Sequence, residues 1–182
     1  MGDEKVRSIK GRLPWASVWL ILCSTASAQT IRIGAVSGKQ GQTMSVPVTL
    51  TGSSSYTAAL VRVQYNTAVL ENVGVAAGAL LSPVHVIESN APAAGRFDVA
   101  VYAPAGMPSF KAKTGTLFSL TFRIKSNAPL GVSPITFTTA GTPSLPSADL
   151  VSVSGAAVSP STVAGSVTVG AAAVGTPWTV YE

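Results

Sequence analysis

Cysteine is all but missing from this 182-residue chain: Cys23 sits in the N-terminal head and no other follows. The remainder must fold without disulfides and depend on buried apolar surface, even in an oxidising compartment. Histidine is as scarce, with His85 alone. A zinc site needs several converging His, Cys or carboxylate ligands, and a catalytic triad needs a histidine beside a nucleophile and an acid. A single imidazole between Val84 and Val86 reads instead as a surface or half-buried side chain. Acids are few as well: past residue 28 they are Glu71, Glu88, Asp98, Asp149 and Glu182. Glycoside hydrolysis requires two carboxylates flanking the scissile bond. Asp98 alternates outward on its strand, while Glu71 and Glu88 fall in different segments, so no pair is indicated. EF-hand loops and phosphate-cradling glycine runs are missing too. The sequence thus predicts no enzyme, no metal site and no cofactor.

Charge of either sign is sparse. From residue 29 onward eight lysines and arginines oppose five acids, a net charge of +3, scattered along the chain, with only Lys111 and Lys113 close together in an expected loop. A nucleic-acid binder would need a concentrated basic face. No apolar run reaches the roughly 20 residues of a membrane span. The head of the chain is different in kind. Lys5, Arg7, Lys10 and Arg12 precede an apolar stretch at residues 15–23, and Ala26, Ser27 and Ala28 supply a small-x-small cleavage site. That order predicts a signal peptide over 1–28 and a mature start at Gln29. A lipid anchor on Cys23 is disfavoured by Leu22, where a small residue would be expected. Residues 171–182, including Trp178, read as a linker or C-terminal tail.

What the chain does have is period-two alternation between turn residues. A first strand is predicted over 31–36 and a turn over 37–42. Met44, Val46, Val48 and Leu50 then alternate cleanly, with Pro47 marking either an edge strand or a residue outside the ladder. In the strand from Thr57 to Tyr65, Ala59, Val61, Val63 and Tyr65 form a core row, leaving Ala58, Leu60, Arg62 and Gln64 outside. Further strands are expected over 69–75, 84–88, 96–102, 116–125, 133–139, 150–153 and 163–169. In the clearest, Phe118, Leu120, Phe122 and Ile124 alternate with Ser119, Thr121, Arg123 and Lys125. No long amphipathic helix is legible. One domain over residues 29–170, built from two packed antiparallel sheets, is the expected all-β architecture.

Several segments together resemble cohesin domains. The run from Ile31 to Leu50 is similar to their opening, and Val61 to Glu71 to their strand ending in Tyr-Asp followed by a turn and Val-Leu. Ala77 to Leu81 and Thr114 to Gly131 resemble later segments in the same order. The resemblance implies a nine-stranded jelly-roll β-sandwich, cohesin-like, that binds a protein partner, a dockerin module in the family, through one exposed sheet face. Carried onto this chain, the binding positions fall at Ala58 and Leu60, beside Arg62 and Gln64. The chain departs from the family there: Ala58 and Leu60 offer no side-chain hydrogen bond, and Asn66 replaces the Asp.

The leading expectation is an exported, non-catalytic cohesin-like module, extracellular or at the cell surface, recruiting a protein partner with dockerin and polysaccharide connections. A carbohydrate-binding module is the first alternative, with Tyr56 and Tyr102, joined by Phe110, as candidate sugar platforms. A structural or adhesin-type surface domain is the second. The head reading is checked by N-terminal sequencing of the protein recovered outside the cell. The expected first residue is Gln29; a retained Met1 refutes the cleavage.

Overall fold

A computed structural model describes residues 29–111, 114–140 and 146–172. The predicted signal peptide, Lys113, and most of the predicted tail with Trp178 lie outside the described residues. The described chain forms fourteen strands. They are β1 (Thr30–Ile33), β2 (Ala35–Lys39), β3 (Thr43–Thr51), β4 (Ser55–Tyr65), β5 (Leu70–Ala77), β6 (Val86–Asn90) and β7 (Arg96–Tyr102). Then follow β8 (Phe110–Lys111), β9 (Gly115–Ile124), β10 (Gly131–Phe137), β11 (Ala148–Ser152), β12 (Ala157–Val158), β13 (Ser161–Val163) and β14 (Gly165–Gly170).

They stack as two sheets. One has the order β13-β1-β3-β9-β5. In the other, β12-β11-β4-β10-β14-β2 form the main path, and β7 pairs with the free side of β4 and carries β6 beyond it. The inward rows agree with the alternation in the sequence. Met44, Val46, Val48 and Leu50 face Ala59, Val61 and Val63 across a core that also holds Phe118, Leu120, Phe122 and Ile124. Burial of each such side chain larger than alanine stabilises the fold by about 1.5–3 kcal/mol. The edge of Tyr65 stacks on Phe122 at 5.0 Å between centroids.

The sandwich holds more than the nine strands expected, because two expected runs divide at sheet crossings and the short strands β8 and β12 add to the count. The predicted first strand divides at Gly34: β1 belongs to one sheet and β2 to the other. The predicted last strand divides in the same way at Ala164, into β13 and β14. At both places the two ends run side by side, giving the parallel pairs β1–β13 and β2–β14 in otherwise antiparallel sheets. The glycines make the crossing feasible. A Cβ on Gly165 would lie 2.3 Å from the Gly34 carbonyl oxygen, and one on Gly34 would lie 2.8 Å from Pro47 Cγ.

Pro47 is not on an edge, since β3 pairs with β1 and β9. Its carbonyl accepts from Gly34 N–H at 2.8 Å. The nitrogen of an extended residue faces the same side as its carbonyl, so Pro47 directs its missing donor at the bend where β1 has already left the ladder.

Stability tests follow from the crossing. Gly165→Ala is expected to cost about 1–3 kcal/mol by forcing the two crossings apart. Thr168→Ala, on the exposed side of the same strand, is expected to stay within about 0.5 kcal/mol. Equilibrium urea denaturation reads both; equal midpoints would refute the packing argument.

Candidate partner-binding face

β4 is paired along both sides, and this fixes which side chains share the outer face of its sheet. Residues paired across antiparallel strands point the same way. The register gives Val151, Ala58, Tyr102 and Val86 as one row across four strands. The next row is Asp149, Leu60, Ala100 and Glu88. Below it come Arg62, Asp98 and Asn90, then Thr136, Gln64 and Arg96. Leu60, Glu88, Ser89, Asn90, Asp98 and Ala100 line a shallow depression in this face. The outward positions of β4 are thus brought together with an acid from each of three other strands, Glu88, Asp98 and Asp149, and with the amide of Asn90.

The four predicted binding positions are not equivalent. Ala58 and Leu60 are half-buried, and Gln64 is exposed. Arg62 points to this side but is only 7 % exposed. Its guanidinium donates to the Pro146 carbonyl and lies 3.7 Å from Asp98. Asp98 also accepts from Arg96 at 3.2 Å. Arg62 is therefore a strut within the face, not the free outward cation that alternation predicts.

Tyr56 corrects the sugar reading. It is 1 % exposed and tilted against Phe110, 6.2 Å away and equally buried. The cause is a bulge: Ala58 pairs with Val151 and Tyr56 with Ser152, so Thr57 is an extra residue. Its hydroxyl donates to the Val151 carbonyl at 3.3 Å. The extra residue reverses the inside-outside phase and turns Tyr56 into the core. Burial pushes its phenol pKa up. Of the three candidate rings only Tyr102 reaches the face, where its hydroxyl donates to Glu88 at 2.8 Å. That hydrogen bond is the main cause raising the Tyr102 pKa.

His85 ties two loops. Its Nδ1 accepts from Ser82 N–H at 2.9 Å, which leaves Nε2 to donate to the Pro108 carbonyl at 3.1 Å. Its ring stands edge-on to Phe110. Glu71 lies on the other sheet, bonded to Arg123 at 3.0 Å. Among the described residues no group of three His, Cys, Asp or Glu is placed to hold a metal ion, and no helix is long and apolar enough to cross a membrane.

β10 extends the face with Val132, Pro134 and Thr136, and Val132 is 70 % exposed. Neither these residues nor Glu88, Asp149 and Ala100 stood out as partners of Leu60 in the sequence. The alternation shows which of them point outward; only the register shows that they are neighbours.

The model of the cohesin domain family matches residues 29–169. The chain belongs to the cohesin domain family. Solved cohesins share its fold at low identity. The sixth cohesin of scaffoldin B from Acetivibrio cellulolyticus, solved in complex with a Cel5 dockerin, matches at TM-score 0.68 and 21% identity, over 79% of this chain and 99% of that one. The seventh ScaB type I cohesin from Pseudobacteroides cellulosolvens matches at TM-score 0.68 and 17% identity, over 85% and 99%. A non-cellulosomal cohesin from the archaeon Archaeoglobus fulgidus matches at TM-score 0.61 and 20% identity, over 78% and 91%. No curated protein matches the chain. The all-β sandwich expected from the alternation is thus a cohesin fold.

The different roles within this cohesin's face are separable. Arg62→Ala is expected to destabilise by about 3 kcal/mol, since it breaks a buried ion pair, and Gln64→Ala by less than about 0.5 kcal/mol. Thermal and urea unfolding measure both. A neutral Arg62→Ala would show that the strut carries no load.

Proposed function

We propose that this cohesin is an exported, non-catalytic recruitment module that holds a dockerin-type partner against the outer face of the β4 sheet. The observation that carries the reading is the depression that runs from Leu60 across β7 to β6 on that face. Support comes from family membership and from the matched cohesin of Acetivibrio cellulolyticus, which was solved with a dockerin. The proposed footprint comprises Ala58, Leu60 and Gln64, with the Arg62–Asp98 pair stiffening it from within the same face. The reading needs no bond to be made or broken. Recognition reduces to shape, burial and rim polarity.

Leu60 changes the character of that recognition. An aliphatic side chain accepts no hydrogen bond from a partner, but it stabilises the complex by about 1.5–3 kcal/mol if fully covered. The cohesin thus selects a partner that offers an apolar side chain at this point. Among the described residues Tyr102 alone reaches the face as an aromatic ring, whereas a polysaccharide platform uses several.

The test is calorimetric titration of the full chain with dockerin modules encoded by the same genome. At least one should bind, and Leu60→Asp should weaken it at least tenfold while leaving the unfolding midpoint in place. Undiminished binding by Leu60→Asp, or binding by no dockerin, overturns the proposal.

A further inference from the structure

The face around Leu60 has a cross-section as well as a centre. β4 and β7 present Ala58, Leu60 and Ala100 on their outer side, so the middle of the sheet is low. The strands on either side carry carboxylates in the same row: Glu88 on β6 and Asp149 on β11. Three strand spacings of about 4.8 Å separate them, or about 14 Å. An α-helix with its side chains is about 10–12 Å across. A helix laid along β4 and β7 therefore fits between the two acids.

These two acids differ from the others. Glu71 is paired with Arg123, and Asp98 lies beside both Arg62 and Arg96. Glu88 and Asp149 have no ion pair among the described residues. Glu88 is exposed, and its Oε1 is oriented by the Tyr102 hydroxyl. Asp149 Oδ1 is buried without a hydrogen-bond partner. A carboxylate with one oxygen lacking a donor is costly to keep charged, and Asp149 as a whole is half-buried, so a cation brought over the accessible part of the group offsets that cost through space. The described chain has only four acids, and two of them flank the trough uncompensated.

We infer that the occupant of this face, given the recruitment reading on which this rests, is an amphipathic helix lying along β4 and β7. It sets an apolar side chain on Leu60 and directs a lysine or arginine from each flank, one toward Glu88 and one toward Asp149. Successive helical residues are about 100° apart. The residues just before and just after the apolar one therefore point to opposite flanks, and the minimal recognition element is basic-apolar-basic. This chemistry compensates for the hydrogen-bonding groups that Ala58 and Leu60 lack. It also gives the complex a salt dependence that burial alone would not.

The experiment uses three fluorescein-labelled 18-residue helical peptides that differ only in their central triplet: Lys-Leu-Lys, Gln-Leu-Gln or Glu-Leu-Glu. Fluorescence anisotropy with the full chain at 50 mM salt should rank them in that order, with at least tenfold between the first two. Glu88→Gln, at an exposed position, should reduce the gap severalfold, and Glu88→Gln with Asp149→Asn should close it. Salt at 500 mM should also narrow it. Circular dichroism confirms that each variant keeps its fold; if Asp149→Asn does not, Glu88→Gln and the salt series decide. Equal affinities, absence of binding included, overturn the charge assignment, as does a preference that survives Glu88→Gln and high salt. Dockerin binding that is lost in Leu60→Asp but unchanged in Glu88→Gln leaves the recruitment reading standing without this inference.

Discussion

Backbone pairing along both sides of β4 is the constraint on which the rest of the structure depends. One side of the strand holds β7 and β8, and the other holds β11 and β10. Four strands distant in sequence are thereby locked to one eleven-residue run. The inward alternation of that run supplies Ala59, Val61 and Val63 to the core. Its outward alternation collects Asp149, Leu60, Ala100 and Glu88 into one line. Slipping any partner by one residue would send its core row to solvent and its face row to the core. Burial on the inside thus fixes the arrangement outside, and the proposed recognition surface needs no separate scaffold.

The crossings at Gly34 and Ala164 serve the same end. They let the two ends of the domain contribute to both sheets and leave the sandwich closed along that side by β2 and β14. With no cysteine after Cys23, closure of the domain must come from backbone pairing and close approach. Gly165 against the Gly34 carbonyl is such an approach at the crossing itself, because no side chain could stand between them. Pro47 belongs to the same solution: a residue that would interrupt a central strand elsewhere is harmless beside a neighbour that has just turned away.

What the sequence made legible and what it hid divide along physical lines. Val61 and Val63, or Phe118 to Ile124, announce their inward rows, because alternation is a local property. Tyr56 could not be placed by that rule. One unpaired residue at Thr57 reverses the phase, and nothing in the local composition marks it. Arg62 failed differently: its direction was legible but its burial was not, since the Pro146 carbonyl and Asp98 come from distant segments. The sheet crossings were hidden because Gly34 and Ala164 sit inside unbroken β-patterned runs. The family resemblance pointed to β4, but neighbours such as Glu88 and Asp149 required the register.

The departure at Ala58 and Leu60 then has a physical consequence beyond the loss of polar groups. A hydrogen-bonding reader is directional and rejects a partner that leaves it unpaired, which sharpens specificity. An aliphatic reader is permissive, since many apolar side chains cover it about equally well. Specificity must then come from the surroundings, where unmatched charge is the strongest discriminator available. On the proposed reading, a like-charged flank on a wrong partner is repelled by the same carboxylates that attract the right one. Arg62 and Arg96 both serve Asp98, so the face keeps its cations engaged and its free carboxylates beside the apolar centre. In a domain whose overall charge is positive, that local reversal of sign sets this face apart.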